Sequence, residues 1–413
     1  MPGSTAFEVL DAPAPIAGLS IGVARAGIRK PDRDDLLLLR LEAGSAVAAV
    51  FTRNAFRAAP VIVAQEHLAR SAPRALLVNS GNANAGTGEP GLTAARYCCA
   101  RLGERLGIEA TAVLPFSTGV IGEPLPVERL EAALPALVTS SLGTGVGWEQ
   151  AARAIMTTDT RPKLRSVRIA PARSGDPAWV VTGIAKGAGM IRPDMATMLA
   201  YVATDAPVER ALLHSLLQAA MARSFNRISV DGDTSTNDAC VLVATGAGGG
   251  ELRRADDPQS WGNLAAGIEW VCAELAREIV RDGEGATKFI RLKVAGGLDE
   301  AECLQVAYTI AHSPLVKTAF FASDANWGRL LAAIGRAGLG DLAIEGVTLA
   351  LNGVPVVEHG ARHPDYTDAA GQAAMAEAEI TVSIGLGRGT AEAEVWTCDL
   401  GHDYVRINAE YRS

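Results

Sequence analysis

The spacing of apolar residues changes period repeatedly along the chain, and each change marks a predicted element. Short runs rich in β-branched and large apolar side chains, bounded by Gly, Asn or Asp, predict strands at residues 76–79, 179–183, 197–204, 240–245 and 289–295. Residues 347–351, 380–384 and 394–398 repeat that pattern. Helical spacing intervenes. Leu212, Leu213, Leu216, Leu217 and Ala220 form an apolar stripe behind Pro207, which predicts a helix with that proline at its first position. A longer helix is predicted over 264–281, with Ile268, Val271, Cys272, Leu275 and Ile279 on one face and Gly283 as its stop. Residues 92–106 and 127–137 carry less regular helical patterns. Strands alternating with helices indicate an α/β chain. A strand opens a fresh run of elements after 283–288, so a division near residue 290 is expected, into domains 1–290 and 291–413.

Composition narrows the picture. The 413 residues are nearly half hydrophobic, with 43 glycines and few aromatics, which fits a large core with many tight turns. A net charge of −8 argues against a general nucleic-acid binder, which needs a basic face against phosphates. The longest apolar runs, such as 46–51, are too short to cross a bilayer, as is the shorter 36–39. The opening Met-Pro-Gly-Ser-Thr-Ala-Phe-Glu has no basic stretch followed by an apolar one, so the expected location is the cytoplasm.

The six cysteines contain no Cys-x-x-Cys pair and read as small buried hydrophobes. His359 and His363 have helical spacing, but the acidic residue of a zinc helix is missing and Pro364 follows, so a loop without metal is expected. Asp231, Asp233 and Asp238 lack the terminal Glu of a calcium loop and read as packing. Gly385, Gly387 and Gly389 read as a turn, and 246–250 as a loop. There is no Gly-x-Ser-x-Gly elbow, phosphate loop or His-Glu-x-x-His.

The stretch richest in chemistry is Lys186-Gly-Ala-Gly-Met-Ile-Arg-Pro-Asp-Met-Ala-Thr197-Met-Leu-Ala-Tyr-Val-Ala-Thr-Asp205. A strand ends near Lys186, a Gly-rich turn follows, Pro193 fixes the chain, and a new strand begins at Thr197 after the small Ala196. Such a turn can hold the Thr197 hydroxyl against the Ala196 carbonyl. Attack there converts the peptide bond to an ester, which water cuts. The new amino terminus carries an amine of pKa about 7.7–8.0 beside its own hydroxyl, so base and nucleophile share one residue. On spacing alone, Thr197 reads first as an ordinary β-branched strand residue.

This segment resembles the ornithine acetyltransferases, also called glutamate N-acetyltransferases, of arginine biosynthesis. Further family-like blocks are Phe51-Thr-Arg-Asn-Ala-Phe56, Asn79-Ser-Gly-Asn-Ala-Asn-Ala-Gly86, Ser117-Thr-Gly-Val-Ile-Gly122, Met156-Thr-Thr-Asp159, Ser224 through Asp238, Gly283-Glu-Gly-Ala-Thr-Lys288, Ser323-Asp-Ala-Asn-Trp-Gly-Arg329 and the closing Tyr404 to Ser413. One departure is Asp194, where the family has Asn three residues before the nucleophile; Arg192, two positions earlier in the sequence, could neutralise it.

The resemblance implies a layered α-β-β-α sandwich of the N-terminal-nucleophile type with a smaller second α/β domain. It implies self-cleavage between Ala196 and Thr197 into chains 1–196 and 197–413, which stay together as an α₂β₂ assembly. It assigns Thr197 as nucleophile, Thr118 and Gly119 as oxyanion donors, and Thr157, Lys186, Thr197, Glu284, Asn408 and Ser413 as substrate contacts. Lys186 suits the α-carboxylate that acetylornithine and glutamate share, and Glu284 suits the ornithine ammonium. The implied reaction moves acetyl from N²-acetylornithine to Thr197 and then to glutamate, with no cofactor. Some members also accept acetyl-coenzyme A, so the resemblance leaves open one donor or two. Two rival readings stand beside it: an N-terminal-nucleophile aminopeptidase or amidohydrolase with water as acceptor, and an uncut, non-catalytic binding protein on the same fold.

Overall fold

The computed structural model describes residues 6–143, 145–172, 175–192, 198–250, 252 and 257–410. In chain order its strands and α-helices begin with β1 (Phe7–Val9), β2 (Leu19–Ala24), β3 (Leu36–Leu41), β4 (Ala46–Phe51), α1 (Ala59–Arg70), β5 (Ala75–Asn82), α2 (Gly88–Leu106), β6 (Val113–Val120), α3 (Val127–Ser140) and α4 (Trp148–Ala154). Then come β7 (Lys163–Ile169), β8 (Trp179–Lys186), β9 (Leu199–Thr204), α5 (Arg210–Arg223), β10 (Ile228–Ser229), β11 (Ala239–Ala244), α6 (Pro258–Arg281) and β12 (Phe289–Gly297). The chain finishes with α7 (Glu300–Ala311), α8 (Pro314–Phe321), α9 (Trp327–Gly335), β13 (Thr348–Leu351), β14 (Val354–Glu358), β15 (Ala361–Arg362), α10 (Asp368–Ala376), β16 (Glu379–Gly385), β17 (Ala391–Cys398) and α11 (His402–Ala409).

The described residues fall into two compact units. The first lies within Met1–Gly187, Pro193–Asn226 and Thr234–Ala276, the second within Ala188–Arg192, Arg227–Asp233 and Arg277–Ser413.

In the first unit a six-stranded sheet (β1-β7-β8-β9-β11-β4) faces a four-stranded one (β2-β3-β5-β6). Leu37, Leu39, Leu76, Val78, Leu114 and Phe116 of the smaller sheet share one buried cluster with Leu199, Tyr201, Val241 and Val243 of the larger. The opposite face of the smaller sheet, through Leu36, Leu38 and Leu77, packs on Leu102 of α2 and Leu130 and Leu134 of α3. A strand covered on both faces has no reason to alternate, which is why β3 reads Leu-Leu-Leu-Leu. Each of those leucines gains roughly 1.5–3 kcal/mol from burial. The outer face of the larger sheet carries α5, against β4 and β11, and α6, whose Val271 and Leu275 sit over Gly183 of β8. The order helix, sheet, sheet, helix is thus the layered α/β arrangement expected. On the small sheet, Gly22 allows α3 to approach closely, because a Cβ there would meet the Leu137 carbonyl oxygen at 2.5 Å.

The second unit has a mixed seven-stranded sheet, β10-β17-β12-β16-β13-β14-β15. Its strands alternate: Ile290, Leu292 and Val294 of β12 enter the core while Lys293 and Ala295 are exposed. Val306, Ile310, Phe320 and Ile334 of α7, α8 and α9 belong to the same core.

Pro207 does not open its helix. Glu209 stands in extended conformation as the N-cap and α5 starts at Arg210, while the Val208 N–H bonds to Ala206 O in a short turn ahead of it. The structure puts His359 in the left-handed turn between β14 and β15, and all six cysteines are buried and unbridged. No helix among the described residues is long and apolar enough to cross a membrane.

Candidate active site

Thr118 and Gly119 close β6, paired in parallel with Ser80 and Gly81 of β5. Gly119 has φ +136°, and a Cβ there would overlap the Gly81 backbone, so only glycine fits. The surrounding polar groups are committed to holding this strand end. Ser117 Oγ donates to Asn79 Oδ1 at 2.6 Å, and Asn237 Nδ2 donates to the carbonyls of Ser117 (2.9 Å) and Ala83 (2.6 Å). The Thr118 side chain is buried and makes no hydrogen bond among the described residues.

A second group gathers on Asp159. Its carboxylate accepts from Lys163 Nζ (2.6 Å), the Gly187 N–H (2.7 Å) and the Thr157 N–H (3.0 Å). Both side chains of the Asp159–Lys163 pair are fully buried. Burial alone pushes Asp159 upward, but the charges of Lys163 and Lys186 and the hydrogen bonds together hold it below the usual carboxylate range. The result places Thr157 beside the end of β8, where Lys186 Nζ stands 3.4 Å from Thr157 Oγ1.

Lys186 pairs with Leu199 of β9, and Leu199 with Ala239 of β11, so Asp238 lies at the same end of the sheet. Burial pushes the Asp238 carboxyl well above its ordinary range, only partly offset by Ser235 and the charge of Lys186. Its Oδ2 is buried with no hydrogen-bond partner among the described residues.

The second unit holds the other group. Glu284 is buried, its N–H bonds to Ala188 O at 2.9 Å, and its Oε2 accepts from Asn408 Nδ2 of α11 at 2.8 Å. A Cβ on Gly189 would fall inside the Glu284 carboxylate, so the Gly-rich turn is glycine here to let that group lie against the backbone.

Behind the turn, Ser229 Oγ donates to Ile191 O at 3.2 Å and meets His312 Nε2 at 2.9 Å. Burial first, then the charges of Arg192, Lys317 and Arg336, lower His312 to about 4. Between that value and the unfolded 6.5 the unfolded chain binds the extra proton, so stability rises with pH across this window and the contribution is complete above it. Replacing His312 with Gln should flatten urea-unfolding stability between pH 4 and 6.5 by on the order of 2 kcal/mol, after discounting for the partly exposed ring.

The expected site residues therefore form three groups: Thr118 with Gly119, Thr157 with Lys186, and Glu284 with Asn408. The first two belong to the first unit and the third to the second. Ala196, Thr197, Asp194 and Ser413 lie outside the described residues. A hydroxyl and an adjacent glycine N–H can serve a developing oxyanion, an ammonium can take a carboxylate, and a buried carboxylate can take a cation.

A model of the ArgJ family matches residues 20–413. The chain belongs to the ArgJ family. Among curated relatives, the arginine biosynthesis bifunctional protein ArgJ of Methylococcus capsulatus is 58% identical over 401 residues, covering 97% of this chain and 96% of that one. The protein of the same name from Pseudomonas fluorescens is 53% identical over 400 residues, covering 97% of each. Among solved structures, the Bacillus halodurans arginine biosynthesis bifunctional protein is 38% identical, covers 51% of this chain and 97% of its own, and superposes with a TM-score of 0.48. The Mycobacterium tuberculosis ornithine acetyltransferase complexed with ornithine is 36% identical, covers 46% of this chain and all of its own, with a TM-score of 0.42.

Within this family member, sequence reasoning missed Asp159 and Lys163 as organisers. Asp159 closes the Met-Thr-Thr-Asp block, yet only its donors, Thr157, Lys163 and Gly187, reveal what it holds.

Proposed function

We propose that the protein moves an acetyl group from N²-acetylornithine to glutamate in arginine biosynthesis, through an acetyl ester on Thr197 formed after the chain has cut itself between Ala196 and Thr197. The family match across residues 20–413 carries this reading. The chemistry of the three residue groups agrees with it. In the first half-reaction the Thr197 Oγ attacks the acetyl carbonyl, its proton passing to the Thr197 amine. Thr118 and Gly119 donate to the resulting oxyanion. The C–N bond then breaks, and the ornithine nitrogen leaves with the proton from that amine. In the second, the glutamate amine attacks the ester by the reverse path and N-acetylglutamate departs. Lys186 and Thr157 take the α-carboxylate, and Glu284 with Asn408 takes the ornithine ammonium, Ser413 completing the contacts. The steps as written draw on no cofactor; acetyl-coenzyme A enters, if at all, as an alternative acetyl donor. In this reading the cut chains remain together as a cytoplasmic α₂β₂ assembly, with 1–290 as catalytic domain and 291–413 as the smaller one.

Intact mass under denaturing conditions, paired with an acetyl-transfer assay, tests the proposal. Two fragments parting before Thr197, and N-acetylglutamate formed from acetylornithine only when glutamate is present, are the expected results. A single species of 42.9 kDa that transfers acetyl overturns the mechanism. Acetate released at one rate with or without glutamate makes the protein a hydrolase. Replacing Thr118 with Ala should lower kcat by about 10²–10³-fold with little change in KM; an effect confined to KM removes Thr118 from the oxyanion role.

A further inference from the structure

Asp231 lies outside the groups so far given a role, yet its carboxylate accepts four hydrogen bonds among the described residues. Oδ2 accepts from the Met190 N–H at 2.6 Å and from Tyr404 Oη at 3.3 Å. Oδ1 accepts from the N–H groups of Ile191 (2.9 Å) and Asp233 (3.1 Å). Every partner among the described residues is a donor, which suits a group that only accepts. Met190 sits in the left-handed region at φ +55°, a conformation a non-glycine residue keeps only when something holds it.

These bonds close a ring with Glu284. Met190 follows Gly189, against which the Glu284 carboxylate lies, and Ala188 O takes the Glu284 N–H. On the other side Tyr404 and Asn408 are one turn apart on α11, joined by Asn408 Nδ2 to Tyr404 O at 2.9 Å, and Asn408 reaches Glu284. Gly285 completes the seam, since a Cβ there would stand 2.6 Å from the Tyr404 nitrogen. Both walls around Glu284, the Gly-rich turn and α11, are thus fastened to the same carboxylate.

We infer that Asp231 is a positioning residue for substrate selection: by clamping the turn and the C-terminal helix together it fixes Glu284 and Asn408 for an amino acid whose side chain ends in an ammonium. The inference rests on the proposed role of Glu284 as the cation's partner. Among the described residues, Asp231 bonds to none of those proposed to take part in the acetyl transfer. Burial first, then the negative charges of Asp231, Glu284 and Asp233, push the Tyr404 hydroxyl upward, so these acidic groups gather around Tyr404.

The test is calorimetric binding of ornithine and of glutamate to the full-length protein, wild type against Tyr404→Phe and Asp231→Asn. Ornithine carries the side-chain ammonium and glutamate reverses that charge. Tyr404→Phe removes one donor and should weaken ornithine binding roughly tenfold while changing glutamate binding less than about twofold. Asp231→Asn turns an amide N–H₂ toward donors whichever way it is set, and should weaken ornithine binding roughly a hundredfold with the same selectivity. Should Asp231→Asn not fold, Tyr404→Phe decides alone. Equal losses for both ligands, or no loss for ornithine, overturn the inference. Selective loss of ornithine binding in a wild-type background that transfers no acetyl group supports the clamp and overturns the proposed reaction instead.

Discussion

Thr197→Ala should leave one uncut chain of 42.9 kDa and lower acetyl transfer by on the order of 10⁴-fold or more. Two losses coincide in that substitution. Without Oγ no ester can replace the Ala196–Thr197 peptide bond, so the α-amine that would serve as base is never released. Without Oγ there is also nothing to carry the acetyl group. Thr197→Ser separates them: it retains a hydroxyl, so cleavage and a reduced turnover should both persist. Denaturing mass spectrometry reads the first effect and N-acetylglutamate production the second. An uncut Thr197→Ala protein with wild-type transfer would remove the threonine from the chemistry.

Asp159→Ala should cost roughly 3–5 kcal/mol of stability, the loss expected when one partner of a buried ion pair is removed and the other left behind. Here the stranded group is the fully buried Lys163 ammonium. Because Asp159 titrates below its unfolded value, its contribution is complete above the ordinary carboxylate range and is lost as pH falls through the lower folded value. The variant should therefore lose much of its stability at pH 7 and show a flatter acid limb in urea unfolding. Asp159→Leu combined with Lys163→Met should recover most of the stability, since no charge is then buried alone. It should not recover carboxylate binding. The Thr157 and Gly187 N–H groups lose their acceptor in either variant, and both flank the Lys186–Thr157 contact. Recovery of KM along with stability in the double variant would mean that Asp159 only supports the fold.

Much of the fold was legible from periodicity. The run at 76–79 became the core of Ala75–Asn82, 240–245 became Ala239–Ala244, and 380–384 became Glu379–Gly385. These strands advertise themselves because one or both faces must be apolar to be covered. The helix over 264–281 was read a turn and a half short, since Pro258 to Asn263 precedes the apolar stripe from which it was read. The start of α5 was misplaced because Pro is compatible both with a first helical turn and with the short turn that the chain makes ahead of Glu209. The candidate site residues were read from the family-like blocks. Thr118-Gly119, Lys186, Glu284 and Asn408 were named from them, whereas nothing local distinguishes the Asp159–Lys163 pair from two solvated charges four residues apart.

By itself the sequence determined the class of fold, the family, and the presence of a hydroxyl that could become its own base's neighbour at Thr197. Each is a local property, written in residue types and their spacing. Only the tertiary structure decided that Asp159 meets Lys163 without water, that Asn408 reaches Glu284 across 124 positions of chain, and that Asp231 accepts from two backbone segments and a helix at once. The physical reason is that burial and hydrogen bonding between distant groups depend on which strands and helices cover them, and that covering exists only after the elements have packed.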